Sequence, residues 1–282
     1  MQHLPPASEK SHWPSKAIFK GIGRMLVRLL GLLALALLAS FLYHRGQILR
    51  ESQLIARPMG QLVTVDGKRL HVYVAGRGNK TLVFLAGLGT NAPALDFKAL
   101  YGRLAADYRV VVVERLGYGY SDDGDDERSL DGQLSQTRRA LQAAGIAGPY
   151  VLVPHSLAGL EAVHWANRYP EEVAALIGLD MTMPPARVPD LRLYRLSWLG
   201  KHLGLARLPL FYRIEDSWAL RSGALNQRDE ALFKALFHRR SITRAVMNEV
   251  RAMNENLETV KGEPVPQVPA LIFAAVQRGS GP

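Results

Sequence analysis

None of the 282 residues is a cysteine. That excludes disulfides, thiolate metal sites and a cysteine nucleophile, and it leaves the cellular compartment open. The sequence also lacks a metal-ligand cluster, a phosphate-binding loop and a dinucleotide-binding fingerprint, so no cofactor and no metal is expected. The net charge is +10 and the pI about 9.9. There is no dense Lys/Arg block and no helix-turn-helix or RNA-binding signature beside that charge, so nucleic acid is not an expected partner. No internal repeat is evident.

What is present suits a folded chain. Hydrophobic residues make up 48% and charged residues 21%, enough apolar surface for a core and too little charge for disorder. The length accommodates one sizeable domain with appendages.

Met25 to Tyr43 reads MLVRLLGLLALALLASFLY, with no charge from Leu29 onward. A bilayer-spanning helix needs about 20 apolar residues. Met25 to Tyr43 reaches that length if Arg28 snorkels to the interface. A buried core helix would carry polar residues at helical spacing, and this stretch is apolar all round. A signal peptide would have a shorter charged leader and a small-x-small cleavage site, which Leu37-Leu38-Ala39 is not. The expectation is a single membrane anchor at 25–43, after a basic tail at 1–24 and before a stalk at 44–60. Lys10, Lys16, Lys20, Arg24 and Arg28 before the run favour an N-in, C-out orientation, with the following domain extracytoplasmic.

Downstream, apolar runs alternate with helical patterns. Asp66-Gly67 between two β-rich runs predicts a hairpin. TLVFL, RVVVVE, YVLVPH and VAALIGLD read as buried strands, separated by helices over Leu95 to Tyr108, Leu130 to Ile146 and Leu157 to Tyr169. Strand–helix alternation of this kind predicts an α/β fold with a mostly parallel sheet flanked by helices. From Met181 the pattern changes to Arg-, Leu- and Ala-rich helical spacing. This predicts a core at 61–183, an inserted helical cap at 184–262 and a last core strand, ALIFAAV, within the C-terminal end at 263–282.

Three stretches carry chemistry. PHSLAG (Pro154 to Gly159) lies between a strand and a helix and matches small-x-Ser-x-small, the pattern of a nucleophile elbow. LAGLG (Leu85 to Gly89) and ERLGYGYSD (Glu114 to Asp122) each follow an earlier strand. This set, in this order, resembles the α/β-hydrolase superfamily, over about three quarters of the chain. The resemblance implies that Ser156 is the nucleophile and that the N–H groups of Leu88 and Leu157 form the oxyanion hole. Gly87 would let the backbone approach the substrate closely, and Arg115, Gly117 and Gly119 would form a structural loop beside the site. His155 matches a common neighbour of the nucleophile with a structural role. The chain departs from the family in having Ala86 where a loop-buttressing His is usual, and Pro154 and Ala158 where Gly is usual.

Family chain order is Ser, then Asp or Glu, then His. The acid normally follows the strand after the cap, but QRGSGP offers no carboxylate. Asp180 is the substitute that the resemblance implies; its other reading is a strand-end or cap-hinge residue. Glu263 is a poorer candidate. His71, His164, His202 and His238 lie away from the expected base position, and the strand–helix pair that would precede the base is not seen before Pro282. The expectation is therefore a truncated or degenerate member. An intact form would hydrolyse carboxylic esters or related acyl substrates through an acyl-enzyme on Ser156. The alternative is a non-catalytic ligand-binding or interaction protein on the same scaffold. The basic, leucine-rich cap and the anchor point to a small ester or lipid-like substrate and to a membrane as partner.

Overall fold

The computed structural model describes residues 16–210 and 213–275, with side chains from residue 20. The tail before residue 16, Phe211 and the C-terminal QRGSGP lie outside the described residues.

The first element is one unbroken helix, α1 (Lys16–Leu54), 39 residues long. The helix runs on through the expected stalk as far as Leu54. The reason is local and tertiary together. No proline occurs in that segment before Pro58, and from Leu37 onward one face turns inward: Leu37, Ser40, His44, Gln47, Ile48 and Glu51 are covered while Phe41, Leu42, Tyr43 and Leu49 are exposed. Spacing of three and four residues is one face of a helix. By length and composition α1 is the candidate membrane-crossing helix among the described residues, a test that a signal sequence also passes.

The core is a seven-stranded sheet. β1 (Gln61–Val65) and β2 (Lys68–Ala75) form a hairpin whose two turn residues, Asp66 and Gly67, both have positive φ, as a tight primed turn requires. β3 (Thr81–Leu85), α2 (Pro93–Asp96), α3 (Lys98–Leu104), β4 (Arg109–Glu114), α4 (Leu130–Ala143), β5 (Tyr150–Pro154), α5 (Ala158–Arg168) and β6 (Val173–Leu179) follow. After the helical insertion comes β7 (Ala270–Phe273). The strand order is β1-β2-β4-β3-β5-β6-β7, with β1 and β2 antiparallel to their neighbours and the rest parallel.

Alternation along each strand decides which layer a side chain joins. Val83, Leu85, Val111, Val113 and Leu152 pack with Leu134, Leu141 and Trp165 of α4 and α5. Leu82, Phe84, Val110, Val112 and Val153 face the other way, against Phe97 and Tyr101. β3 and β4 are covered on both faces, which is why they read as continuous apolar runs. β7 differs: among the described residues it pairs with β6 alone, and Leu271, Ile272 and Phe273 are exposed.

The insertion holds α6 (Leu191–His202), α7 (Trp218–Arg221), α8 (Gln227–Arg240) and α9 (Arg244–Lys261). Asp190, Asn226 and Thr243 cap α6, α8 and α9 by accepting backbone N–H bonds. Phe233, Leu236 and Phe237 of α8 cluster with Ile214 and Leu225, and Leu54 and Ile55 from the end of α1 pack against them. α9 instead lies on the core, where Met253, Leu257 and Val260 meet Leu160 and Val163 of α5.

Candidate active site

Ser156 sits in the turn between β5 and α5 with φ of +49°, a left-handed conformation that costs an L-residue about 1–2 kcal/mol. The turn is pinned from both sides. Ser156 N–H donates to the Leu179 carbonyl at 3.2 Å, and the Ser156 carbonyl accepts from Thr182 at 2.8 Å and from Gly159 at 2.9 Å. The small residues have steric reasons. A Cβ on Gly159 would lie 2.7 Å from the Thr182 oxygen, and one on Gly87 would lie 2.8 Å from the Ser156 Cβ. The loop after β3 thus passes directly against the serine. The N–H groups of Leu88 and Leu157 donate to no protein acceptor among the described residues.

Ala86 leaves that loop without a histidine side chain, but the loop is held by other means. Arg115 donates to the Ala86 carbonyl at 2.6 Å, and Gly89 N–H donates to the Tyr118 hydroxyl at 3.3 Å. Tyr118 in turn donates to Glu249 of α9 at 2.6 Å, and Arg128 donates to the other Glu249 oxygen at 2.6 Å. Arg115 also faces Glu161 at 3.5 Å and Glu249 at 3.7 Å. Burial alone would push the Glu249 carboxyl up, but Arg115 and Arg128 outweigh it and hold it below the usual range. The sequence placed Arg115 beside the site only by resemblance. The roles of Tyr118 and Glu249 were not visible, since 131 residues separate them.

Asp180 ends β6, also at positive φ. Its N–H donates to the Phe273 carbonyl at 2.7 Å, and its carboxylate accepts from Ala275 N–H at 3.1 Å. It therefore ties β6 to the end of β7. The structure brings Ser156, Leu157, Gly87 and Leu88 together at the C-terminal sheet edge, with Asp180 one strand away.

A cavity of about 440 Å³ opens beside them between core and cap. Leu88, His155 and Leu179 form its floor, Asp96, Phe97 and Leu100 one wall, and Trp218, Phe233 and Phe237 the roof. Burial pushes the Asp96 carboxyl up to about 7; nearby Glu114 adds to the shift and the Ala92 N–H opposes it. Sequence reasoning missed this wall because α2, α3 and α8 meet only in the tertiary structure.

A model of the alpha/beta hydrolase fold family matches residues 80–264. The chain belongs to the α/β-hydrolase family. It is 34% identical over 272 residues to the uncharacterized protein YbdG of Bacillus subtilis, covering 93% of this chain and 82% of that one. It is also 29% identical over 146 residues to the probable esterase PIR7A of Oryza sativa subsp. japonica, about half of each chain. The enol-lactonase from Burkholderia xenovorans superposes with a TM-score of 0.57 at 18% identity, over 76% of this chain and 80% of that one; at that identity the likeness is one of fold.

In this α/β-hydrolase four of the six described histidines are bonded to other residues, and the remaining two, His155 and His238, make ring contacts. His71 is fully buried; its Nε2 accepts from Gly60 N–H at 2.8 Å, which leaves Nδ1 to donate to Glu114 at 2.9 Å. His164 is bonded to Glu263 and Asp131. That accounts for Glu263, which serves α5 and not Ser156. His202 bonds the Trp198 carbonyl, and His44 accepts from Arg207. His238 packs edge-on against Phe237. His155 packs edge-on against Phe97, and burial lowers its pKa, opposed by Asp180. Among the described residues, none hydrogen-bonds Ser156 Oγ.

Proposed function

We propose that this α/β-hydrolase is a membrane-anchored serine hydrolase of carboxylic esters or related acyl compounds, with Ser156 as nucleophile. The observation that carries the reading is the strained Ser156 turn with the glycine loop pressed against it. Strain at a non-glycine residue persists where its surroundings over-determine it, and such residues cluster at active sites. Ser156 Oγ attacks the carbonyl carbon, its proton passes to a base and then to the leaving alkoxide, and water cleaves the acyl-enzyme. The N–H groups of Leu88 and Leu157 hold the oxyanion, where preorganised donors are worth most. Asp180 serves as the acid that orients the base. The apolar cavity roofed by Phe233 and Trp218 takes the acyl or alcohol part, and the probable esterase among the relatives is in keeping with an ester. α1 crosses the bilayer with its basic N-terminal flank inside and the hydrolase domain outside.

A second reading rests on the histidine accounting above: a non-catalytic, ligand-binding member of the fold, in which no described residue serves Ser156 as a base and the serine is a weak nucleophile. The experiment that separates them is labelling of the folded chain with a fluorophosphonate probe, with Ser156→Ala as control. Labelling that vanishes in the variant supports the first reading; a folded, unlabelled chain supports the second. Protease accessibility of the hydrolase domain on intact cells checks the orientation.

A further inference from the structure

The cap carries leucines on its solvent side. In α6, Leu191, Tyr194, Trp198 and Lys201 are covered, whereas Leu193, Leu196 and Leu199 point outward and are 62%, 65% and 50% exposed. Leu210, a few residues on, is 88% exposed. Arg192 and Arg195 are exposed beside them. Isolated surface leucines are ordinary, but a grouped set marks an interaction surface.

The position of this stripe says what covers it. Gly204, just past the end of α6, approaches α1 so closely that a Cβ there would lie 2.5 Å from the Ser40 carbonyl oxygen and 2.8 Å from the His44 Cβ. Ser40 lies within the apolar stretch and His44 just past its end, and Arg207 clamps α1 about two turns further on by bonding both Glu51 oxygens at 2.7 and 2.6 Å. The cap is therefore fixed alongside the last turns of the apolar helix. At a rise of 1.5 Å per residue, Leu199 lies roughly 5 Å and Leu196 roughly 9 Å along the α6 axis from its last residue, His202. A bilayer's interfacial zone is several ångströms deep on each side.

We propose that the α6 leucines and Leu210 form a second membrane contact, seated in the headgroup–acyl boundary of an anionic phospholipid bilayer, beside the span of α1. This rests on the reading of α1 as a membrane span. The occupant is lipid, because Gly204 and Arg207 hold the end of α6 against α1 at and just past its apolar stretch, and because Arg192 and Arg195 match anionic headgroups as in interfacial helices. The contact would set the cap, and with it the cavity under Phe233 and Trp218, against the membrane surface.

The absence of cysteine makes the test clean. Single-cysteine variants of the full chain (Leu33→Cys, Leu199→Cys, Leu210→Cys and Val265→Cys) are labelled with an environment-sensitive fluorophore. They are then reconstituted in vesicles of phosphatidylcholine and phosphatidylglycerol with and without spin-labelled quencher lipid. Val265 is 79% exposed and lies outside the cap, so it gives the aqueous baseline. The expected result is quenching at Leu33, Leu199 and Leu210 several-fold above Val265. Quenching at Leu33 alone overturns the proposal and leaves the span of α1 standing. No quenching at Leu33 overturns both. Equal quenching at Val265 means indiscriminate adsorption and also overturns the proposal.

Discussion

The Tyr118 hydroxyl joins the Glu249 carboxylate at 2.6 Å, and through this bond α9 reaches the loop that passes Ser156. Tyr118 accepts the Gly89 N–H on its other side. Arg115 carries the parallel connection, from Glu249 to the Ala86 carbonyl. The loop beside the serine is thus positioned by a buried ionic network instead of a histidine at position 86.

Removing the centre of that network is expected to be severe. Glu249→Gln leaves Arg128 and, in part, Arg115 without a counter-charge in the interior, a change that costs about 3–5 kcal/mol. Tyr118→Phe leaves one buried Glu249 oxygen without its hydroxyl donor and is expected to cost about 1–3 kcal/mol. Urea unfolding midpoints check both. Labelling at Ser156 in Tyr118→Phe is expected to be slower than in the parent chain while the fold persists.

Ser156→Gly is expected to stabilise. Glycine removes the left-handed penalty of about 1–2 kcal/mol and returns about 0.5–1 kcal/mol in unfolded-chain entropy. The net gain is of order 1 kcal/mol or less, read as a raised unfolding midpoint together with loss of probe labelling. A drop in stability would mean that the turn is not strained.

Gly87→Ala places a methyl group 2.8 Å from the Ser156 Cβ and 2.9 Å from the His155 carbonyl. Backbone must move on one side. The expected outcome is a destabilised chain with labelling at Ser156 lost or strongly slowed, whereas Gly145→Ala, where space is open but φ is positive, affects stability without touching the labelling.

Asp96 sets a pH dependence. Its carboxyl titrates at about 7 in the folded chain against an ordinary value of 3.8. A group whose folded pKa is raised stabilises fully below its unfolded value, and that stability is lost as pH rises through the folded one. The stability contribution of Asp96 is therefore expected to decline between 3.8 and about 7. Unfolding midpoints measured across this window are expected to be flatter in Asp96→Asn than in the parent chain.

Arg207→Ala removes the clamp on Glu51 and the bond to His44. The loss is local. Amide exchange is expected to quicken in α1 around Ile48 and Glu51 and in the turn after Gly204, with the protection of β3, β4 and β5 unchanged.

Much of this molecule is legible from residue order. Unbroken apolar runs specified the parallel strands, and Asp66-Gly67 between two β-rich runs specified the hairpin. The small residues at Gly87 and Gly159 marked where backbone must approach backbone. These signals are local, since each depends on residues a few positions apart. Ala86 shows the limit. By sequence it reads as a lost buttress, yet the loop is held by Arg115 and by Tyr118, which is itself bonded to Glu249. The segment expected as a stalk after the anchor carries the helical face that docks on the cap.

The sequence by itself determined the α/β layering and an apolar N-terminal helix, because hydrophobic periodicity suffices for those, and it marked the Ser156 turn through its resemblance to the family. Only the tertiary structure decided what surrounds them: the cavity between α3 and α8, the network centred on Glu249, and the contact of Gly204 with Ser40. Each joins segments far apart in the chain, and burial there makes pairing obligatory. Which partners meet is settled by how the layers pack, not by any neighbouring residue.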